Sequence, residues 1–214
     1  MVERGLVVAT DGNLSARLDG GQVLSTPTGV SKGELRESDL VVTDLEGRKV
    51  RGHRKPSSEL GLHLAVYRAR PGAGSVIHAP PPVATGFACA GLALDEALIS
   101  ETVMGLGCVP LAPYATTGTP ELARAVSALV GEHDALLLAN HGAVVLGADL
   151  QQAFWKLEMV EQLARVSLVA RLLGRRNLLG TSEVEKLLQA RAAYFGLPSV
   201  PRHRPGCPRT RDEA

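Results

Sequence analysis

ALLLANHGAVVLG, residues 135–147, holds two apolar runs separated by Asn140, His141 and Gly142. Apolar runs this short, bounded by turn residues, read as strands covered on both faces rather than as helices. Upstream, TPELARAVSALVGE reads as a helix: Thr119 caps it, Pro120 suits its first position and Gly131 closes it. Downstream, Asp149 caps a long helix through LQQAFWKLEMVEQLARVSLVARLL, which Gly174 ends. A helix, two strands and a helix with short connections mark a layered α/β domain with a mixed sheet.

The same alternation extends toward the N-terminus. SVIH, residues 75–78, reads as a strand that runs into Pro80, Pro81 and Pro82, and PPVATGFACAG opens the next helix with proline tolerated in its first turn. PSSELGLHLAVYRARPG reads as a helix with its start at Pro56, Ser57 and Ser58 and its stop at Pro71-Gly72. Within it Glu59 and His63 are four apart and share a face. In the first fifty residues, LSARL and QVLST flank Asp19-Gly20-Gly21, and LVVTDL and RKV flank Glu46-Gly47, two hairpin signals. A last helix starts at Ser182, with Glu185 completing a capping box, and runs to Gly196.

Composition narrows the partners. A chain of 214 residues with 45% hydrophobic and 21% charged residues suits one globular domain. A formal net charge of +1 and 3% aromatics give no footprint for nucleic acid or an acidic membrane. Cys89, Cys108 and Cys207 are odd in number and widely spaced, and form no CxxC pair or disulfide framework, which fits a reducing cytoplasm. No apolar run approaches a membrane span and the start lacks a signal-peptide pattern, so the expected location is cytoplasmic. Residues 1–198 are expected to form the domain, and the Pro/Arg-rich tail 199–214 to be disordered.

Chemistry has few places to sit. Of six histidines, His78 and His141 occupy the ends of strongly apolar strands, where α/β proteins gather functional groups. His63 reads as a buried neighbour on its helix, whereas His53 and His133 lie in polar contexts and read as solvated. Glu59 alone would be an acid favoured by a helix dipole. Three turns, DGNLS, TPTGVS and PSSE, offer backbone N–H groups and hydroxyls to an anion.

Taken in order, GNLSAR, STPTGVSKGEL, KPSSELGLH, SVIHAPPPVATGFA, VPLAPYATTGTPEL and LLLANHGAVVLG resemble the class II aldolase/adducin family. The resemblance implies a single three-layer α/β/α domain with a central mixed, largely antiparallel sheet. It implies a homotetramer with active sites between subunits, a divalent metal, Zn2+ above others, and a sugar phosphate as substrate. The implied reaction is aldehyde-lyase chemistry, the retro-aldol cleavage of a ketose 1-phosphate such as L-fuculose 1-phosphate to dihydroxyacetone phosphate and an aldehyde. By the same match His78 and His141 are metal ligands, and Glu59 is both the acid/base and a third ligand. Gly12, Asn13, Thr28, Gly29, Ser57 and Ser58 hold the phosphate, and Tyr114 handles a proton in a neighbouring subunit's site.

Two departures stand out. The family's second metal-binding histidine falls on Pro80, which offers no imidazole, so the expected set is His78, His141 and Glu59. By the same resemblance, the family's first helix is expected to be missing ahead of ERGLVVATDGN. A catalytically impaired, adducin-like binding member is therefore the main alternative. Sugar-phosphate dehydratases and epimerases of the same family follow, although the epimerases place an aspartate where this chain has Glu59.

Overall fold

The computed structural model describes residues 1–195 and 207–213. An eight-stranded sheet forms the middle layer. Its strands are β1 (Asn13–Leu18), β2 (Gln22–Ser25), β3 (Val41–Asp44), β4 (Lys49–Arg51), β5 (Ser75–Ala79), β6 (Leu111–Ala112), β7 (Ala135–Leu138) and β8 (Gly142–Gly147). Their order across the sheet is β4-β3-β2-β1-β5-β8-β7-β6. Every pairing is antiparallel except β6 with β7, so the sheet is mixed and largely antiparallel as expected.

Side chains alternate across β5, β7 and β8 and bury both faces. Ile77, Leu137 and Val145 face one core with α2 (Pro82–Cys89) and α5 (Leu150–Leu172). Val76, Leu136, Leu138 and Val144 face the other with α1 (Leu60–Ala69) and α4 (Pro120–Val130). This doubly covered centre explains why the three strands read as continuous apolar runs. His78 lies on the α1 side because it is two residues from Val76.

The described residues near the C-terminus make contacts that their composition did not suggest. Residues 196–206 lie outside the described residues, but 207–213 pack on the domain instead of forming a disordered tail. Arg209 donates to Asp95 at 2.8 Å, and the Asp212 carboxylate accepts from the backbone N–H of Thr181 at 2.7 Å. Partners far away in sequence, the Asp95 carboxylate and the Thr181 backbone, thus hold a segment poor in apolar residues. Cys108 and Cys207 are joined as a disulfide, with Cα atoms 5.6 Å apart, and Cys89 is free, so the reading of three unpaired thiols is corrected.

Smaller corrections concern helix starts. α6 (Thr181–Phe195) begins ahead of Ser182, and its first N–H groups meet Glu183 and Asp212, so Glu185 does not close a capping box. Thr119 precedes α4 but its hydroxyl donates to Thr116 O at 2.6 Å rather than capping the helix. α1 starts at Leu60, leaving Pro56, Ser57 and Ser58 in the preceding turn. A short α3 (Ser100–Gly105) and β6 were not anticipated. Asp149 does cap α5, accepting from Gln152 N at 2.7 Å.

Two contacts hold the junction after β5. The buried Glu161 carboxylate, reaching across from α5, accepts from Val83 N at 3.1 Å and Ala84 N at 2.9 Å, the first free donors after the prolines. Gly142 starts β8 at φ 149, where a Cβ would stand 2.6 Å from Ala79 O and 3.0 Å from Pro80 Cα. Both the backbone angle and the space demand glycine. Gly142→Ala should lower the unfolding free energy in urea melts by about 2–4 kcal/mol, and a loss under about 0.5 kcal/mol would contradict this packing.

Candidate metal and anion site

Three segments that are remote in sequence meet at one end of the sheet. Glu59 sits just before α1, His78 near the end of β5, and His141 in the turn between β7 and β8. β1 pairs with β5 so that Asn13 stands opposite His78, and β5 pairs with β8 so that His78 stands opposite Val144. That register places Asn13 and His78 side by side beneath the start of α1.

The side chains converge closely. Glu59 Oε1 is 3.1 Å from His141 Nε2, and Glu59 Oε2 is 3.4 Å from His78 Nε2. The two imidazole centres are 4.4 Å apart. Asn13 Nδ2 donates to Glu59 Oε2 at 2.9 Å. His78 Nδ1 lies 2.9 Å from Ala143 O, and a carbonyl only accepts, so Nδ1 carries the proton and Nε2 faces the site with a free lone pair.

Charge in the site follows from these contacts. Burial works to raise the Glu59 carboxyl, but the His141, His78 and Asn13 contacts overcome it and hold it at about 2. Burial pushes His78 below the usual histidine range, against the pull of Glu59. Glu59 is therefore anionic at neutral pH beside a neutral His78.

A divalent cation fits this donor set. Among the described residues, Glu59, His78 and His141 are the one group of three whose ligand atoms all lie within 4.8 Å of one another. Glu59 Oε1 is buried and, despite its closeness to His141 Nε2, forms no hydrogen bond among the described residues. A carboxylate oxygen and a ring nitrogen brought this close together can both be turned on a metal. Two imidazoles and one carboxylate with positions left open match the three-ligand pattern of catalytic zinc sites and also suit iron(II). Pro80 borders the cavity beside the two histidines and adds no donor.

The anion-binding expectations converge on the same place. A cavity of about 380 Å³ has Glu59, His78 and His141 in its wall together with Gly12, Asn13, Thr28, Gly29, Ser57 and Ser58. An isolated bridge between Pro27 and Pro56 ties the second and third turns together, and Thr28 N donates to Lys55 O. Gly12, at φ 73, presses the first turn onto β5, where a Cβ would lie 2.9 Å from His78 O. Tyr114 is 65% exposed after β6 and does not line this cavity.

Sequence reasoning missed Lys32, which borders the cavity. Its ammonium donates to Thr10 O at 2.6 Å and Val30 O at 3.1 Å, joining the first two turns. Burial lowers its pKa, while Asp11 and Glu59 oppose that shift. Its place directly after TPTGVS was the available signal. His133, expected in solvent, is buried, because the next residue Asp134 is drawn inward by Arg70 at 2.7 Å and Lys156 at 2.8 Å. His53 is exposed as expected.

Comparisons with known proteins agree with this fold. A sequence profile for the Class II Aldolase and Adducin N-terminal domain matches residues 1–168. A 3-oxo-tetronate 4-phosphate decarboxylase from Haemophilus influenzae is 41% identical over 170 residues, covering 77% of this chain and 80% of its own. A 5-methylthioribulose-1-phosphate/5-deoxyribulose-1-phosphate aldolase from Rhodospirillum rubrum is 36% identical over 200 residues, 92% of this chain and 90% of its own. A solved L-fuculose 1-phosphate aldolase superposes with a TM-score of 0.84 at 36% identity, over 92% of this chain and 91% of that one.

Acid should expose the electrostatics. His63, beside this site, is pushed down to about 3 by burial first and by His78 second. Depressed histidines and a depressed carboxylate all bind fewer protons folded than unfolded. In the metal-free protein, stability should thus be full above pH 6.5, fall below it as the unfolded histidines protonate, and fall again from 4.5 toward about 2 through Glu59. Urea melts across this range should show Glu59→Gln losing the second decline. Parallel curves below pH 4.5 would mean that these contacts do not hold the carboxylate.

Proposed function

Because the chain belongs to the class II aldolase and adducin family, we propose that it is a metal-dependent sugar-phosphate lyase. Its reaction is the cleavage of a ketose 1-phosphate, such as L-fuculose 1-phosphate, to dihydroxyacetone phosphate and an aldehyde. The observation that carries this reading is the convergence of Glu59, His78 and His141 on one wall of a cavity otherwise bordered by anion-binding turns. The same convergence speaks against an impaired binding module despite Pro80.

Each residue has a task. Gly12, Asn13, Thr28, Gly29, Ser57 and Ser58 fix the phosphate through backbone N–H groups, hydroxyls and an amide, which sets the distance of the reacting carbons. Those donors are neutral, and the Lys32 ammonium offsets the dianion's charge. His78 and His141 hold a divalent ion, zinc by preference, together with Glu59. When bound, that ion supplies positive charge against the negative charge that grows on the substrate's carbonyl oxygen as the C–C bond breaks. As the C–C bond breaks, the alcohol oxygen loses its proton and the enediolate carbon gains one. Glu59, ionised at neutral pH, would take up that proton, deliver it to the carbon and end the cycle ionised. Tyr114, exposed here, serves a neighbouring subunit of a homotetramer. The enzyme works in the cytoplasm.

A second reading is the decarboxylation named in the Haemophilus influenzae relative. Loss of carbon dioxide beside a ketone leaves the same kind of enolate as retro-aldol cleavage, so the same residues serve both. Parallel assays on ketose 1-phosphates and on 3-oxo acid phosphates separate the two. We expect aldehyde release that a chelator abolishes and zinc restores, with Glu59→Gln lowering kcat by about 10²–10⁴-fold. Carbon dioxide release alone would favour the second reading. Inertness toward both substrate classes with excess zinc, manganese or cobalt would overturn the lyase assignment.

A further inference from the structure

Behind Glu59 runs a line of polar side chains of which the proposed reaction uses only the first, Asn13. Asn13 Oδ1 is 2.5 Å from His63 Nε2, His63 Nδ1 is 2.6 Å from Ser15 Oγ, and Ser15 Oγ is 2.8 Å from the Tyr67 hydroxyl. The line ends under Arg17, whose guanidinium lies 4.8 Å from the Tyr67 ring centre and donates to Tyr67 O and Ala73 O. Asn13, Ser15, His63 and Tyr67 are buried.

The line has a simple origin. Glu59, His63 and Tyr67 recur every four residues at α1, and Asn13, Ser15 and Arg17 every second residue on β1. Four helical residues rise about 6 Å and two strand residues about 6.6 Å. The two stripes therefore stay in step, and each helix group meets its strand partner.

The protons along the line can be placed in only one way. The Glu59 carboxylate accepts, so the Asn13 amide must present Nδ2 to it and Oδ1 to His63. Oδ1 accepts, so His63 carries its proton on Nε2. Its neutral ring then has a bare Nδ1, which takes the Ser15 hydroxyl proton, and Ser15 Oγ in turn accepts from Tyr67.

We propose that His63 is a positioning residue that fixes the Asn13 amide, through its Nε2 proton, so that Asn13 always offers a donor to Glu59. Reversal of that amide would set Oδ1 against Glu59 Oε2 and push the carboxylate out of the site. This extends the proposed function, since it rests on Glu59 as ligand and acid/base.

The test compares His63→Leu with His63→Gln, whose side-chain amide can replace the Nε2 donor. For His63→Leu we expect zinc affinity, read by competition with a chromophoric chelator, and kcat to fall about 10–100-fold. KM should change by less than kcat falls, because Asn13 is the one phosphate-fixing residue bonded to His63. His63→Gln should recover most of both losses. Equal losses in the two variants, or none in His63→Leu, would overturn the proposal. Nitrogen-15 NMR of the wild-type imidazole gives a separate readout that needs neither metal nor turnover. A protonated Nε2 with a bare Nδ1 is expected, and the opposite tautomer would overturn the proposal even in an active enzyme. The expected tautomer in a protein inert to every sugar phosphate would instead leave the line standing and remove the lyase reading.

Discussion

An ionised carboxylate set below the protein surface must be matched on every side, and Glu59 imposes that demand on the architecture around it. An unpartnered buried charge costs several kcal/mol. Here Asn13 supplies a hydrogen bond from β1, while His78 of β5 and His141 of the following turn press in at 3.4 and 3.1 Å. These partners are neighbours only because β1, β5 and β8 lie side by side, with Asn13 opposite His78 and His78 opposite Val144. The central sheet is thus the frame of the site, and its apolar strands give the polar cluster a fixed background.

The loop after His78 shows how that frame tolerates three prolines. Pro80 lies beside the histidines and adds no donor to the site. Helix α2 then starts without N–H groups from the prolines, and Glu161 of α5 takes its first available donors. Gly142 lets the neighbouring turn pass close to Ala79 and Pro80. Glu59 is the third member of the donor set beside the two histidines.

Much of this could be read from residue order alone. Alternation of apolar strands with capped helices revealed the layered α/β class, since β5, β7 and β8 are covered on both faces. Short elements escaped: β6 has two residues between Pro110 and Pro113, too few for any periodicity to register. The cavity's turns were legible because small polar and glycine residues carry a local signature. Lys32 was not, because a long side chain reaches carbonyls that only the fold brings near. His63 and Glu59 showed a shared helix face, but the line to Ser15 and Asn13 depends on which strand lies below, and spacing within α1 holds no such information. Composition likewise misjudged Cys207–Glu213, whose partners Asp95 and Thr181 lie far away in sequence.

The central claim is that two imidazoles and one carboxylate suffice to hold a divalent cation beside Pro80. Anomalous diffraction at the zinc absorption edge, from crystals grown with zinc, tests it directly. The account predicts one peak per chain, about 2.0–2.2 Å from Glu59, His78 and His141 ligand atoms. A zinc-saturated crystal with no peak there, or with its peaks only on surface residues, would contradict it.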